Sequence, residues 1–314
     1  MAAQKAKLCV IALALLLAGC GQPLSQREII RAAFFENTDH GATAVLLVED
    51  TDLPEGETGY KTVTATADTY ALAMDEAEQT LPGSAFYGLM DIAALPHLTT
   101  WAQAQEIGSL LYKKAQPAPE IDLFMLDDTV PTALEDKAGG LYDAMKAAEK
   151  QYHLQTGLER LAASDALCTL PVWQKEGYGY AILRKSGASA YYLQPLCAQL
   201  AAILSGQSSV LSCTFAQGSA RCKGDAAVLF EPEPTDTGVC VTARLMLKDI
   251  SLIDLQGTDR GEEMLQAELA GELQQAFRIL ANSQGDPLRF SFWAQNLFGE
   301  NAGPLTAALV IKNE

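Results

Sequence analysis

Histidines, adjacent carboxylates and cysteines are the side chains of this chain best suited to chemistry, and their spacing restricts what that chemistry is. The histidines are His40, His97 and His153. They fall in unrelated contexts, and with the histidines scattered the cysteine spacing matches no zinc pattern. No Cys-x-x-Cys, His-Glu-x-x-His, Gly-x-Ser-x-Gly or glycine-rich phosphate loop occurs. His97 follows Pro96 at a strand-to-helix junction and reads as a loop residue near a helix cap. Asp127 and Asp128 end a predicted strand, where α/β proteins often place ligand-binding residues. A solvated pair of loop carboxylates explains them as well. Tyr178, Tyr180, Tyr191 and Tyr192 could line a pocket or an interface, or pack at a core edge. No catalytic, metal-ligating or cofactor-binding residue is assigned. The sequence therefore predicts a protein that is not an enzyme and uses no cofactor.

One cysteine carries a definite chemistry. Lys5 and Lys7 precede an apolar run from Leu8 to Leu17, and Leu17-Ala18-Gly19-Cys20 follows. A charged segment, a short apolar segment and a small-residue cleavage site make a secretory signal. A cysteine at the cleavage point resembles a bacterial lipobox, in which the thiol is diacylglycerylated and the new N-terminus is that cysteine. Two acyl chains give stable anchoring where one does not. Cys20 is thus the predicted lipidation site, residues 1–19 the predicted signal peptide, and the rest an extracytoplasmic body. The other downstream cysteines are Cys168, Cys197, Cys213, Cys222 and Cys240. Cys213 and Cys222 flank the turn-rich run Ala216-Gln217-Gly218-Ser219, so a disulfide across a hairpin is one reading. Buried small apolar side chains are the other.

Charge limits the partners. The chain has 22 basic and 39 acidic residues, a formal net charge of −17. Such a surface repels nucleic acid and anionic headgroups, so no nucleic acid is expected and attachment to a membrane must come from the lipid. Nothing after Leu17 approaches the ~18 apolar residues of a spanning helix.

The elements follow from periodicity. Arg27-Glu28-Ile29-Ile30, Ala44–Glu49 and Tyr60–Thr66 read as ordered or strand segments. Asp68 opens a helix with Ala71, Met74, Ala77 and Leu81 on one side. Phe86–Leu95 reads as one strand buried on both faces. Thr100 and Gln103 form a capping box ahead of a helix bearing Trp101, Ala104, Ile107 and Leu111. Ile121–Leu126 is the next strand. Residues 131–165 read as helical, with Leu141, Met145 and Ala148 in register. Then come a strand at Tyr178–Leu183, a helix at Pro195–Leu204, and strands at Ser209–Phe215, Ala226–Phe230 and Val239–Ile250. Glu231-Pro232-Glu233-Pro234 reads as a rigid acidic loop. Residues 261–283 form the strongest helix, striped by Leu265, Leu269, Leu273, Ala276 and Leu280. Leu305–Ile311 closes the chain as a strand. The predicted class is mixed α/β to α+β: two or three α/β subdomains, with the C-terminal sheet covered by a long helix. The expected division is an N-terminal α/β domain over 20–130, a helical connection over 131–170 and an α+β domain over 171–314.

This order resembles the C-subunit lipoproteins of spore germinant receptors, the Ger(x)C family. The resemblance rests on the lipobox, Arg27-Glu28-Ile29, the block Ala65–Leu126 with Phe86-Tyr87-Gly88, the segment Ala181–Gly206, and the long helix running to Gln284-Gly285-Asp286. It implies a non-enzymatic, lipid-anchored subunit at the spore inner membrane. Its implied partners are integral-membrane receptor subunits, one permease-like and one with a large cytoplasmic domain. An extracytoplasmic solute-binding lipoprotein is the alternative.

Overall fold

The computed structural model of the chain describes residues 27–39, 41–54, 59–114, 120–128, 130, 137–152, 157–163, 167–174, 177–186, 190–283, 286–299 and 305–313. The first sheet is nine-stranded. It begins with β1 (Arg27–Thr38), β2 (Gly41–Glu49) and β3 (Tyr60–Ala67), paired antiparallel in that order. The other edge of β1 runs parallel to β4 (Ser84–Phe86) and then to β5 (Ile92–Leu95). Beyond β5 lie β6 (Asp122–Leu126) and β7 (Leu167–Gln174), both parallel to it. Antiparallel β8 (Gly177–Arg184) and β9 (Tyr191–Leu193) finish the sheet.

The central strands are buried on both faces, which is why Ile92-Ala93-Ala94-Leu95 reads as an unbroken apolar run. One face packs against α1 (Tyr70–Gln79), α2 (Trp101–Lys114) and α4 (Leu158–Ala163), through Tyr70, Met74, Trp101, Ile107, Leu158 and Leu161. The other packs against α3 (Ala138–Tyr152) and α5 (Pro195–Leu204), through Tyr142, Met145 and Leu200.

The second sheet has four strands: β10 (Val210–Phe215), β11 (Ala220–Thr235), β12 (Gly238–Asp254) and β13 (Leu305–Asn313), with β12 and β13 parallel. Val239, Val241, Ala243, Leu245 and Leu247 of β12 alternate inward. They meet Leu265, Leu269 and Leu273 of α6 (Glu262–Ala281), so the expected long helix covers this sheet. A short α7 (Phe290–Phe298) precedes β13. The mixed α/β class is as the sequence implies.

The two sheets share one apolar cluster that reaches from Phe34 and Phe124 to Val241 and Leu269. Pro171, near the expected domain boundary, lies inside β7, and the strands on both sides of it belong to the first sheet.

Two local readings are corrected. Phe86–Leu95 is two strands, β4 and β5, because the chain turns between them, with the Met90 amide donating to the Tyr87 carbonyl at 3.0 Å. Gly88 fits that turn; a Cβ there would lie 2.6 Å from Cζ of the Phe86 ring. Glu231–Pro234 is no loop but part of β11, with Pro232 opposite Val241 and Pro234 opposite Val239. The β10 pairing ends at Asp225, so from there β11 has, among the described residues, no strand on that edge, and a missing N–H costs nothing there. Three expected segments differ in extent: β1 runs eight residues past Ile30, β11 begins six residues before Ala226, and the helical stretch 131–165 contains two helices, α3 and α4; β7, β9 and α7 are additional.

Candidate functional site

The predicted lipidation site Cys20 lies outside the described residues, as do His40, His153 and the loop Gln116–Pro119. Two places bring several of the other singled-out residues together.

The first is the carboxyl edge of the parallel strands. β5 and β6 end side by side, so their following loops carry His97 and Asp127-Asp128 to the same edge. Tyr192 of β9 reaches over them. Its hydroxyl lies 3.0 Å from His97 Nδ1 and accepts from the Leu98 amide at 3.3 Å. The two rings sit 5.6 Å apart. Leu98 adopts φ 55°, a left-handed conformation uncommon for a leucine. A hydrogen bond to Asp127, and the Asp127 charge, push the Asp128 carboxyl up, with His97 opposing. Burial pushes the Tyr192 phenol up. Asp128 is nonetheless exposed, and among the described residues no three histidine, cysteine or acidic side chains are grouped to hold a metal ion. Tyr180 is fully buried in the core, apart from this edge, and the side chains of Tyr178 and Tyr191 lie outside those described.

The second place is the hairpin β10–β11. Cys213 and Cys222 are directly opposite in the register, and both are buried. Cys168, Cys197 and Cys240 occupy separate strands and a helix.

Sequence reasoning missed a polar cluster at the amino edge of the sheet. The register of β1 against β2 shifts between Ile30 and Ala32, so Arg31 is the extra residue of a bulge. Its Nη2 lies 3.3 Å from Asp91 Oδ2 and donates to the Tyr142 hydroxyl at 2.9 Å. That hydroxyl donates to Asp91 Oδ2 at 3.1 Å. Lys146 Nζ stands 3.5 Å from the same oxygen, and Arg31 also faces Glu49 at 3.7 Å. Asp91 Oδ1 is buried with no hydrogen-bond partner among the described residues. The cluster joins β1, the loop before β5, and α3. Its groups neutralise and hold one another, and none is a nucleophile poised against a base.

A groove of about 530 Å³ opens between α2 and α4. Gly108, Leu158 and Leu161 line it, together with Gln105, Tyr112 and Lys113. A Cβ on Gly108 would meet the ends of Leu158 and Leu161 at 3.2 Å, which keeps the two helices close here. Among the described residues no helix is long and apolar enough to cross a membrane.

The mixed α/β architecture with two sheets is the class that these observations define. No protein-family model matches the sequence, and no curated protein matches it. Among solved structures the chain is similar to the one titled "Crystal Structure of the GerBC protein". Identity is 11%, the alignment covers 90% of this chain and 96% of that one, and the TM-score is 0.45.

Proposed function

We propose that this chain is a non-enzymatic, lipid-anchored subunit that docks on integral-membrane proteins of a spore germinant receptor and takes part in sensing or relaying the germinant signal. The observation that carries the reading is Leu17-Ala18-Gly19-Cys20 behind its charged and apolar segments. The order of elements downstream, which resembles the Ger(x)C lipoproteins, supplies the receptor part.

The physical role is confinement. Arg27, where β1 starts, is seven residues beyond Cys20, and a fully extended chain of that length reaches about 25 Å. An acylated Cys20 would hold the folded body that close to the bilayer and raise its effective concentration beside membrane partners. β1 would receive the tether directly, and the Arg31–Asp91–Tyr142 cluster fixes β1 to α3 four residues later.

Intact mass of the protein purified from membranes tests the anchor: a start at Cys20 with diacylglycerol mass is expected. Capture of receptor subunits from inner spore membranes with wild type and Cys20→Ala tests the role. Loss of partners and slowed germination in Cys20→Ala are expected. Equal recovery and normal germination would overturn the proposal.

The groove between α2 and α4 favours a second reading, a solute-binding lipoprotein, since its volume suits a small organic ligand. A ligand at one hundred times its dissociation constant adds about 2.7 kcal/mol of stability. A screen of small solutes that raises the melting temperature, and loses the effect in Gly108→Leu, would support this reading over the first.

A further inference from the structure

We propose that Cys213 and Cys222 form a disulfide that staples the β10–β11 hairpin once the chain is outside the cytoplasm. The inference rests on the extracytoplasmic placement proposed above and on three features of the hairpin.

The first is register. Cys213 and Cys222 are a directly opposed antiparallel pair, one of six that run from Val210↔Asp225 to Phe215↔Ala220. Opposed residues in such a ladder have Cα atoms about 4.5–5.5 Å apart, inside the range that a disulfide spans. Being directly opposed, the side chains lie on the same face of the ladder; both are free thiols in the structure, and their mutual interaction pushes Cys213 up and Cys222 down.

The second is the turn that the pair closes. Ala216 and Gln217 have φ 53° and 54°, and Gly218 has φ 85°. Two consecutive non-glycine residues in the left-handed region are costly and persist only where the surroundings hold them. The turn is held from outside: the Ser219 carbonyl accepts from the Leu255 amide at 2.8 Å, and the Ser219 hydroxyl donates to the Ala216 carbonyl at 2.6 Å. A cross-link two residues before Phe215 and two after Ala220 would hold it from inside. It would also restrict the unfolded chain, which has the most to gain from relaxing this turn.

The third is burial. Cys222 has no exposed surface and Cys213 is 8% exposed. Exchange with a protein-sized oxidant therefore belongs to folding, before α6 closes over the sheet. The thiolate of one cysteine attacks an oxidised dithiol carrier of the extracytoplasmic space and forms a mixed disulfide. The second thiolate then displaces the carrier. Two thiol protons are released, and two electrons leave the pair and reduce the carrier to its dithiol. Once formed, the bond is shielded from small reductants.

The test is peptide mapping of the full chain purified from membranes, alkylated under denaturing conditions without reductant. A single linked pair, Cys213 with Cys222, is expected, and Cys168, Cys197 and Cys240 are expected to carry the alkyl label. Reduction under denaturing conditions followed by refolding should lower the melting temperature by roughly 5 °C. The same treatment should leave the Cys213→Ser/Cys222→Ser protein where it was. Gln217→Gly, which relieves the turn, should recover part of the loss in the reduced protein. Quantitative alkylation of both cysteines, or linkage of either to another cysteine, overturns the proposal. The mass of the Cys20 peptide in the same digest scores the anchor separately. A lipidated Cys20 with free Cys213 and Cys222 therefore removes the staple and leaves the tether, and an unlipidated Cys20 with the linked pair does the reverse.

Discussion

Arg31 and Asp91 meet twice, once through side chains and once through the backbone. The guanidinium lies 3.3 Å from the carboxylate, and the Asp91 amide donates to the Arg31 carbonyl at 3.2 Å. The double contact falls where β1 leaves β4 and begins to pair with β5. A bulge gives Arg31 the aim, and the switch of partner leaves the carbonyl available. Removing the guanidinium would leave Asp91 with the Tyr142 hydroxyl and Lys146 on one oxygen, its second oxygen already unpartnered among the described residues. Both side chains are about a quarter exposed, so the cost is well below that of a fully buried pair. Arg31→Met should destabilise the protein by about 1–2 kcal/mol. Urea unfolding measures it, and Asp91→Asn in the Arg31→Met background should add little. Additive losses would show that the two residues do not act together.

Gly41 makes a stronger prediction. It joins β1 to β2 with φ 130°, and a Cβ there would lie 2.3 Å from the carbonyl oxygen of Ala67 on β3. The obstacle is backbone, which cannot rotate away, and it lies in the ladder where Ala42 pairs with Ala67. Gly41→Ala should cost about 3 kcal/mol or more, through strain and a lost strand contact together. Gly140→Ala is the control, since nothing lies within 4 Å of its Cβ position and it is helical; it should be neutral or slightly stabilising. Thermal unfolding of the two variants decides between them, and similar melting temperatures would refute the steric account.

The capping box at α2 offers a local test. The Thr100 amide donates to Gln103 Oε1 at 2.9 Å, and the Gln103 amide donates to Thr100 Oγ1 at 3.3 Å. Thr100→Ala should cost about 1 kcal/mol and Thr100→Ser much less. Denaturant midpoints measure both. An alanine no worse than serine would mean that the cap is idle.

That box was legible because both partners lie within four residues, and the stripe on α6 because five residues repeat at helical spacing. What the sequence concealed depends on neighbours. Pro232 and Pro234 signal a loop locally, yet they lie in β11 because β10 is too short to reach them, and no local pattern reports a partner's length. Tyr87-Gly88-Leu89 breaks an apolar run without a polar residue, so hydropathy carries no mark of the turn. Arg31 and Asp91 are 60 residues apart, and each alone reads as an ordinary surface charge. The meeting of His97, Asp127 and Tyr192 likewise follows from strand order. The opposition of Cys213 and Cys222 was legible as far as their positions around a turn, and the register supplied the rest.

The tyrosines give a pH dependence whose sign can be worked out. Burial, then the hydrogen bond to Glu78 Oε1 at 2.5 Å, pushes the Tyr87 phenol far above its ordinary value. Burial pushes Tyr60 and Tyr70 up to about 12. In the unfolded chain all three ionise near pH 10. The folded protein therefore holds more protons than the unfolded one above that point, and stability falls as pH rises. Their contribution is complete below about pH 10 and is lost progressively from there toward the folded values. The melting temperature should accordingly drop steeply between about pH 10 and 12. Tyrosinate absorbance at 295 nm should rise in two stages, with part of the ten tyrosines appearing only as the protein unfolds. Tyr87→Phe loses a hydrogen bond at neutral pH, about 1 kcal/mol, and should show a shallower alkaline decline because one raised phenol is gone. If all tyrosines titrate together near pH 10 while the fold persists, the phenols are not held as described. A Tyr87→Phe protein with an unchanged alkaline slope would leave Tyr60 and Tyr70 to account for it, which Tyr70→Phe then tests in the same way.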